Sequence, residues 1–482
     1  MSKNVTIRRL VTGVPGLDDL LGGGFPEFSF NLLAGTPGSG KTTMAHQIMF
    51  TLANPDRRAL FFTVLGESPL KMLRYQQQFP FFDVSKINQS IKFVNLAAEL
   101  LDGKFDRVLA RITEEIENFS PSLVFVDSFR SVAQSALADV SGTSGLSNFV
   151  QRLGMKMTSW QATTFLIGEY LAPEEESSPV FTVADSITWM SQVVHRDAMI
   201  RKIQVVKMRG QAQSVGVHTF RINDNGIEIF PRAVFASGNA DEVRISGDKR
   251  LSMGVPVLDE MMGGGLPAGY SLLVVGPSGS GKSVLATEFL AEGVRVGEPG
   301  VIAAFEKSPN QLLSHRLDAL VKSGHVGVMD TRTLDLSLDE ILHDLVVMIN
   351  NMKAKRVVID SLSGLEMALA SIFREDFREA LYRLVSVLTG MGVTVFMTSE
   401  LEDQYNFLRF STYGNAFLCD AIVLQRYVEL DGQLKRVISV VKIRASAHSK
   451  DIRFFDVEKD NIVIGEPLSG YRGILSGQPT GG

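Results

Sequence analysis

Much of this chain is written twice. The segment "TGVPGLDDLLGGGFPEFSFNLLAGTPGSGKTT" (residues 12–43) returns as "SMGVPVLDEMMGGGLPAGYSLLVVGPSGSGKSV" (residues 252–284), so that Lys41 maps onto Lys282. Further along, "SLVFVDS" (122–128) is echoed by "RVVIDS" (356–361), and "VVKMRG" (205–210) by "VVKIRA" (440–445). Copies this far apart exclude a solenoid, whose units run to roughly 20–50 residues. The expectation is two homologous domains, residues 1–235 and 249–482, the second with a short C-terminal tail. Between them, 236–248 is polar, contains glycine, shows no apolar periodicity and reads as a linker.

Within each copy, short apolar runs alternate with amphipathic stretches. "NLLAG", "RALFFTVL", "SLVFVD" and "TTFLIGEY" read as strands of the first copy; "LLVVG", "GVIAAFE", "RVVID" and "TVFMTSE" read as strands of the second. In "TTMAHQIMFTLA", Met44, Ile48, Met49 and Leu52 fall on one helical face. Apolar strands separated by helices predict an α/β fold, each domain a mostly parallel sheet with helices on both faces. The balance of 45% hydrophobic and 21% charged residues excludes a disordered chain, and the apolar runs are too short to span a bilayer. "MSKNVTIRRL" lacks the apolar core of a signal peptide, and the single cysteine, Cys419, points to a cytoplasmic location. A net charge of −5 gives no overall footprint for nucleic acid.

Gly35 to Thr42 ("GTPGSGKT") and Gly276 to Ser283 ("GPSGSGKS") both fit GxxxxGK[ST], each after an apolar strand and before a helix. Glycines let successive N–H groups turn inward around a phosphate, and the following helix adds the positive end of its dipole. Phosphate contacts are expected from Thr36, Pro37, Gly38, Ser39, Gly40, Lys41, Thr42 and Thr43, and from Pro277, Ser278, Gly279, Ser280, Gly281, Lys282, Ser283 and Val284. The lysines reach the β- and γ-phosphates, and the Thr42 and Ser283 hydroxyls ligate Mg²⁺. Asp127 and Asp360 each end an apolar run, where such a site holds its metal through water; an aspartate there also starts turns.

Lys207 and Arg209 recur as Lys442 and Arg444. On a strand, a spacing of two puts both cations on one face, and Arg201 and Arg436, six residues upstream of the lysines, share that parity. A second cation pair beside a loop that already has its lysine reads as a finger for γ-phosphate charge, delivered in trans by a neighbouring subunit. Arg201, Arg436, Met208 and Ile443 on the same strands join the expected nucleotide contacts. The bland alternative is a solvated strand face.

Taken together, "TGVPGLDDLLGGGFP", both phosphate loops, "FVDS" and "VIDS", and both K-x-R strands resemble the KaiC family, double-domain relatives of the RecA and RadA ATPases. The resemblance covers nearly the whole chain; "LRYQQQFPFFD" (73–83) and "IGEPLSGYRGILSGQPT" (464–480) bring it nearest to the non-cyanobacterial members. It implies two tandem RecA-like P-loop NTPase domains, ATP and Mg²⁺ as cofactors, a homo-oligomer (typically a hexamer) with ATP between subunits, and regulatory protein partners. Clock members of the family also autophosphorylate a Ser-Thr pair. Their base is the first of two adjacent glutamates; here Gly66-Glu67 and Glu306-Lys307 each keep only one. Glu306 therefore reads as the stronger base, placed beside the metal, and Glu67 as the weaker. An ungapped alignment puts Ala416 and Phe417 at the phosphorylated pair, leaving Ser411 and Thr412 as displaced acceptors.

Three functions remain in play: an ATPase of KaiC type with Ser/Thr autokinase activity, acting in conformational signalling or timing; a DNA-dependent motor of RecA type; and a nucleotide-binding scaffold whose hydrolysis is vestigial. The motor needs a basic groove with interleaved aromatics, and none appears, so nucleic acid is not an expected partner.

Overall fold

The computed structural model describes residues 7–64, 69–100, 105–132, 142–171, 179–195, 198–232, 249–305, 315–330, 336–374, 377–401, 418–430, 432–458, 461–469, 471–472 and 480–481. The chain divides into two compact units, Met1–Arg232 and Ala233–Gly482. Among the described residues, each is built on a nine-stranded sheet.

In the first unit the order across the sheet is Ile91–Asn95, Ala59–Thr63, Leu123–Asp127, Thr163–Glu169, Phe30–Gly35 and Ser186–His195, all parallel. Ala198–Met208, His218–Asn223 and Gly226–Phe230 then continue it antiparallel. The second unit repeats this order with Val326–Asp330, Gly300–Ala304, Arg356–Asp360, Thr394–Glu400, Ser271–Gly276 and Ala421–Leu430, followed by Gln433–Ile443, Ile452–Glu458 and Asn461–Pro467.

The inner parallel strands are mostly apolar because both faces are covered. All six residues of Phe30–Gly35 are buried. Leu32 and Ala34 face a core shared with the helices Phe105–Phe119 and Gly142–Ser159, while Leu33 faces the helix Lys41–Leu52 through Met44 and Ile48. In the second unit Leu273 and Val275 face Leu338–Met352 and Phe377–Gly390, and Leu272 and Val274 face Lys282–Arg295. Each fully buried Leu or Phe contributes roughly 1.5–3 kcal/mol. The chain leaves the central strand of each unit toward one side of the sheet and later crosses back past it to the other, and ligands bind at the carboxyl end of such a strand. No described helix is long and apolar enough to cross a membrane.

Candidate functional site

At the carboxyl end of Phe30–Gly35 the chain turns through Thr36–Gly40 into the helix Lys41–Leu52. Gly38 (φ 71) and Gly40 (φ 98) take left-handed conformations, and a Cβ on Gly40 would lie 2.7 Å from Ile222 Cδ1. Only glycine meets both demands. Lys41, buried, donates Nζ to Thr36 O at 2.7 Å and to Ser39 Oγ at 3.5 Å. Burial lowers its pKa, against which the charges of Glu169 and Asp127 act. Thr42 Oγ1 donates to Asp127 Oδ2 at 2.6 Å. Burial also pushes the Asp127 carboxyl up to about 6, although the Thr42 bond and the Lys41 charge oppose it. These groups line a cleft of about 450 Å³ with Thr43, Ser128 and Glu169.

The second loop repeats the construction. Gly279 (φ 75) and Gly281 (φ 104) are left-handed. The buried Lys282 donates to Gly276 O at 2.8 Å and Pro277 O at 2.9 Å, and Ser280 Oγ donates to Gln425 Oε1 at 3.0 Å. Asp360 is held differently, by the hydroxyl of Thr398 from the adjacent strand. Ser278 and Ser283 are exposed, and Val284 is half-buried against the core.

These residues suit a polyphosphate with a hard cation. The glycine cradle is open where a Cβ would close it, and each buried ammonium donates to neutral loop oxygens. Asp127 is a half-buried, desolvated carboxylate that a cation would relieve. Thr42 and Asp127 in one unit, and Ser283 and Asp360 in the other, supply the oxygens that such a cation takes.

The K-x-R strands need a correction. Lys207 pairs with Ile187 and Val205 with Thr188, so Val206 is the extra residue of a β-bulge. Val441 is its counterpart between the pairs Ile422–Lys442 and Val423–Val440. An extra residue breaks strict alternation. Arg201 therefore does not share a face with Lys207, nor Arg436 with Lys442. Arg201 stands opposite Gln192, whose Nε2 donates to Pro37 O at 3.1 Å, which places this arginine beside its own phosphate loop. Arg436 lies over the Tyr427 ring at 5.6 Å and pairs with Asp456 at 3.5 Å; a Cβ on Gly279 would lie 3.3 Å from the Tyr427 hydroxyl. Met208 and Ile443, expected among the nucleotide contacts, pack their side chains against the apolar cores.

Lys207 and Arg209 do stay together. Lys207 donates to Phe181 O and Thr182 O, each at 3.0 Å; Arg209 reaches Thr182 O at 3.3 Å and Asp185 at 3.4 Å. In the second unit Lys442 donates to Cys419 O at 2.8 Å and Arg444 pairs with Asp420 at 3.2 Å. Both pairs sit at the amino end of the central strand, since Asp185 accepts from Phe30 N and Asp420 from Ser271 N. At about 3.3 Å per residue, a six-residue strand separates them from their own phosphate loop by roughly 17 Å.

Glu67, Glu306, Ser411, Thr412, Ala416 and Phe417 lie outside the described residues. Sequence reading passed over Glu169 and Glu400, although "FLIGEY" and "FMTSE" carry the same signal that singled out Asp127 and Asp360: an acid closing a buried strand in both copies.

The family model for the KaiC ATPase matches residues 10–234 and again 251–469. Among curated proteins, the chain is 29% identical to the circadian clock protein KaiC3 of Synechocystis sp., over 98% of this chain and 95% of that protein. It is 28% identical to the circadian clock oscillator protein KaiC of Picosynechococcus sp., over 98% and 93%, and 27% identical to that of Prochlorococcus marinus, over 99% and 97%.

Proposed function

Because the chain belongs to the KaiC family of ATPases, we propose that each half binds ATP with Mg²⁺ and hydrolyses it, and that a ring of copies uses this cycle for conformational signalling or timing. The observation that carries the reading is the duplicated loop, with its left-handed glycines and a buried lysine at the start of a helix. Backbone amides and Lys41 or Lys282 hold the phosphates. A divalent cation at Thr42 and Asp127, or at Ser283 and Asp360 with Glu306 beside them, would neutralise charge on the departing phosphate. Glu306, and more weakly Glu67, is assigned to orient the attacking water. Arg201 and Arg436 contact nucleotide in their own subunit.

Lys207/Arg209 and Lys442/Arg444 are too far from their own loops to serve them, so the reading gives them to the loops of a neighbouring copy. That requires a homo-oligomer, for which the family resemblance implies a hexamer, with regulatory proteins as further partners. With one cysteine, the buried Cys419, the chain is assigned to the cytoplasm. If the second half phosphorylates the chain, Ser411 or Thr412 accepts, since Ala416 and Phe417 carry no hydroxyl.

The test is nucleotide stoichiometry with phosphate release. The unaltered chain should retain two ATP per copy, Lys41→Ala or Lys282→Ala one, and the double variant none. Equal phosphate release from the double variant and the unaltered chain would overturn the reading. With γ-labelled ATP, label on Ser411 or Thr412 would establish the autokinase, whereas free phosphate alone leaves an ATPase.

A further inference from the structure

We propose that Glu169 accepts the proton of the attacking water at the first site, an assignment that rests on the ATPase reading above. Glu169 closes the strand Thr163–Glu169 directly beside Gly35, the first glycine of the phosphate loop. The next amide, Tyr170 N, donates to Gly35 O at 3.0 Å. Arg130 Nη1 donates to the Glu169 carbonyl, and its guanidinium lies 5.6 Å from the Tyr170 ring centre. The end of the strand is thus fixed to the loop, while its side chain lines the cleft with Lys41, Thr42 and Asp127. The second unit repeats the placement: Glu400 lies beside Gly276, with Leu401 N donating to Gly276 O at 3.2 Å.

A carboxylate in a cleft built for a triphosphate repels its ligand. Such a group weakens ground-state binding, so its presence in both copies is explained by a task in the reaction rather than in binding. Asp127 is already engaged by Thr42. In the proposed step Glu169 takes one proton from water as the water oxygen bonds to the γ-phosphorus. The bond from that phosphorus to the β,γ-bridging oxygen breaks, and its electron pair leaves with ADP.

The experiment uses the full chain carrying Lys282→Ala, so that only the first site reports. Glu169→Gln should retain ATP at least as tightly as its parent and release phosphate on the order of 100-fold more slowly, the scale of general-base catalysis. It should still trap ADP with beryllium fluoride, a ground-state mimic, but not with aluminium fluoride, whose planar complex needs the positioned water. Glu169→Asp should recover part of the rate. Phosphate release from Glu169→Gln within about threefold of the parent would overturn the assignment. Loss of ATP retention would overturn it too, by making Glu169 a binding group. A parent that neither retains nor hydrolyses ATP would overturn the ATPase reading and this assignment with it.

Discussion

The Thr42 hydroxyl lies 2.6 Å from the Asp127 carboxylate, joining the first turn of one helix to the end of a strand two places away in the sheet. In the second unit the matching carboxylate, Asp360, is bonded instead by Thr398. The position that matches Thr398 is Ile167, which has no hydroxyl to give, and Thr63 on the other side of Asp127 does not bond it. The first unit therefore ties its two candidate metal-binding oxygens to each other.

Asp127→Asn keeps the shape and removes the charge. With Lys282→Ala silencing the second site, the Mg²⁺ concentration for half-maximal phosphate release should rise by about 10–100-fold, as for losses of outer-sphere metal partners. A magnesium titration checks this. An unchanged midpoint would detach Asp127 from the metal.

Delivery of Lys207 and Arg209 in trans predicts complementation. In a Lys282→Ala background, Arg209→Ala should lower phosphate release by on the order of 10³-fold, the scale of an arginine finger. Lys41→Ala should be inactive because its own loop is broken. Mixed rings should recover activity, since an intact loop from one copy meets an intact finger from the other. Additive, unrecovered rates in mixing experiments would place the finger in cis or out of the reaction.

The phosphate loops and the parallel strands were legible because their signals are local: glycine spacing and apolar runs fix backbone conformation within a few residues. The faces of the K-x-R strands were not legible. "VV" precedes the lysine in both copies, yet nothing in two valines marks the bulges at Val206 and Val441, which depend on register with the strand next door. Glu169 was missed for another reason. Its signal was present, but the role of a strand-ending acid emerges only once the sheet order puts it beside Gly35.

His46 makes the first unit sensitive to acid. It is fully buried, with the Phe61 ring centre 4.8 Å away and those of Phe50 and Phe93 each at 6.3 Å, and burial lowers its pKa to about 3. The unfolded chain binds this proton from about pH 6.5, the folded unit only near 3. Between those values the unfolded state holds more protons, so stability falls as pH falls, by about 1.4 kcal/mol per pH unit. Denaturant unfolding at pH 7 and pH 5 should show a loss of about 2 kcal/mol from this group. His46→Leu should flatten that part of the profile, and an equal slope in the variant would rule His46 out as its source.

Arg356 is a fully buried charged side chain of the second unit. It is 1% exposed, yet every direction of its guanidinium is answered: Glu298 at 3.1 Å, Ser252 O at 2.8 Å, Phe289 O at 2.9 Å, and the Phe289 ring at 4.6 Å. The first unit has Leu123 at the matching strand position, so the fold itself does not demand a cation there. Once the carbonyls and Glu298 have been arranged around one, however, Arg356→Ala strands the Glu298 carboxylate but for the exposed Lys249 and opens a cavity, costing about 3–5 kcal/mol. Arg356→Leu fills the cavity without repairing the polar contacts, and Arg356→Leu with Glu298→Gln also removes the stranded charge. Unfolding of the second unit should therefore rank Ala as most destabilised, Leu next and the double variant least. If Ala and the double variant unfold alike, the ion pair is incidental and packing alone holds this strand.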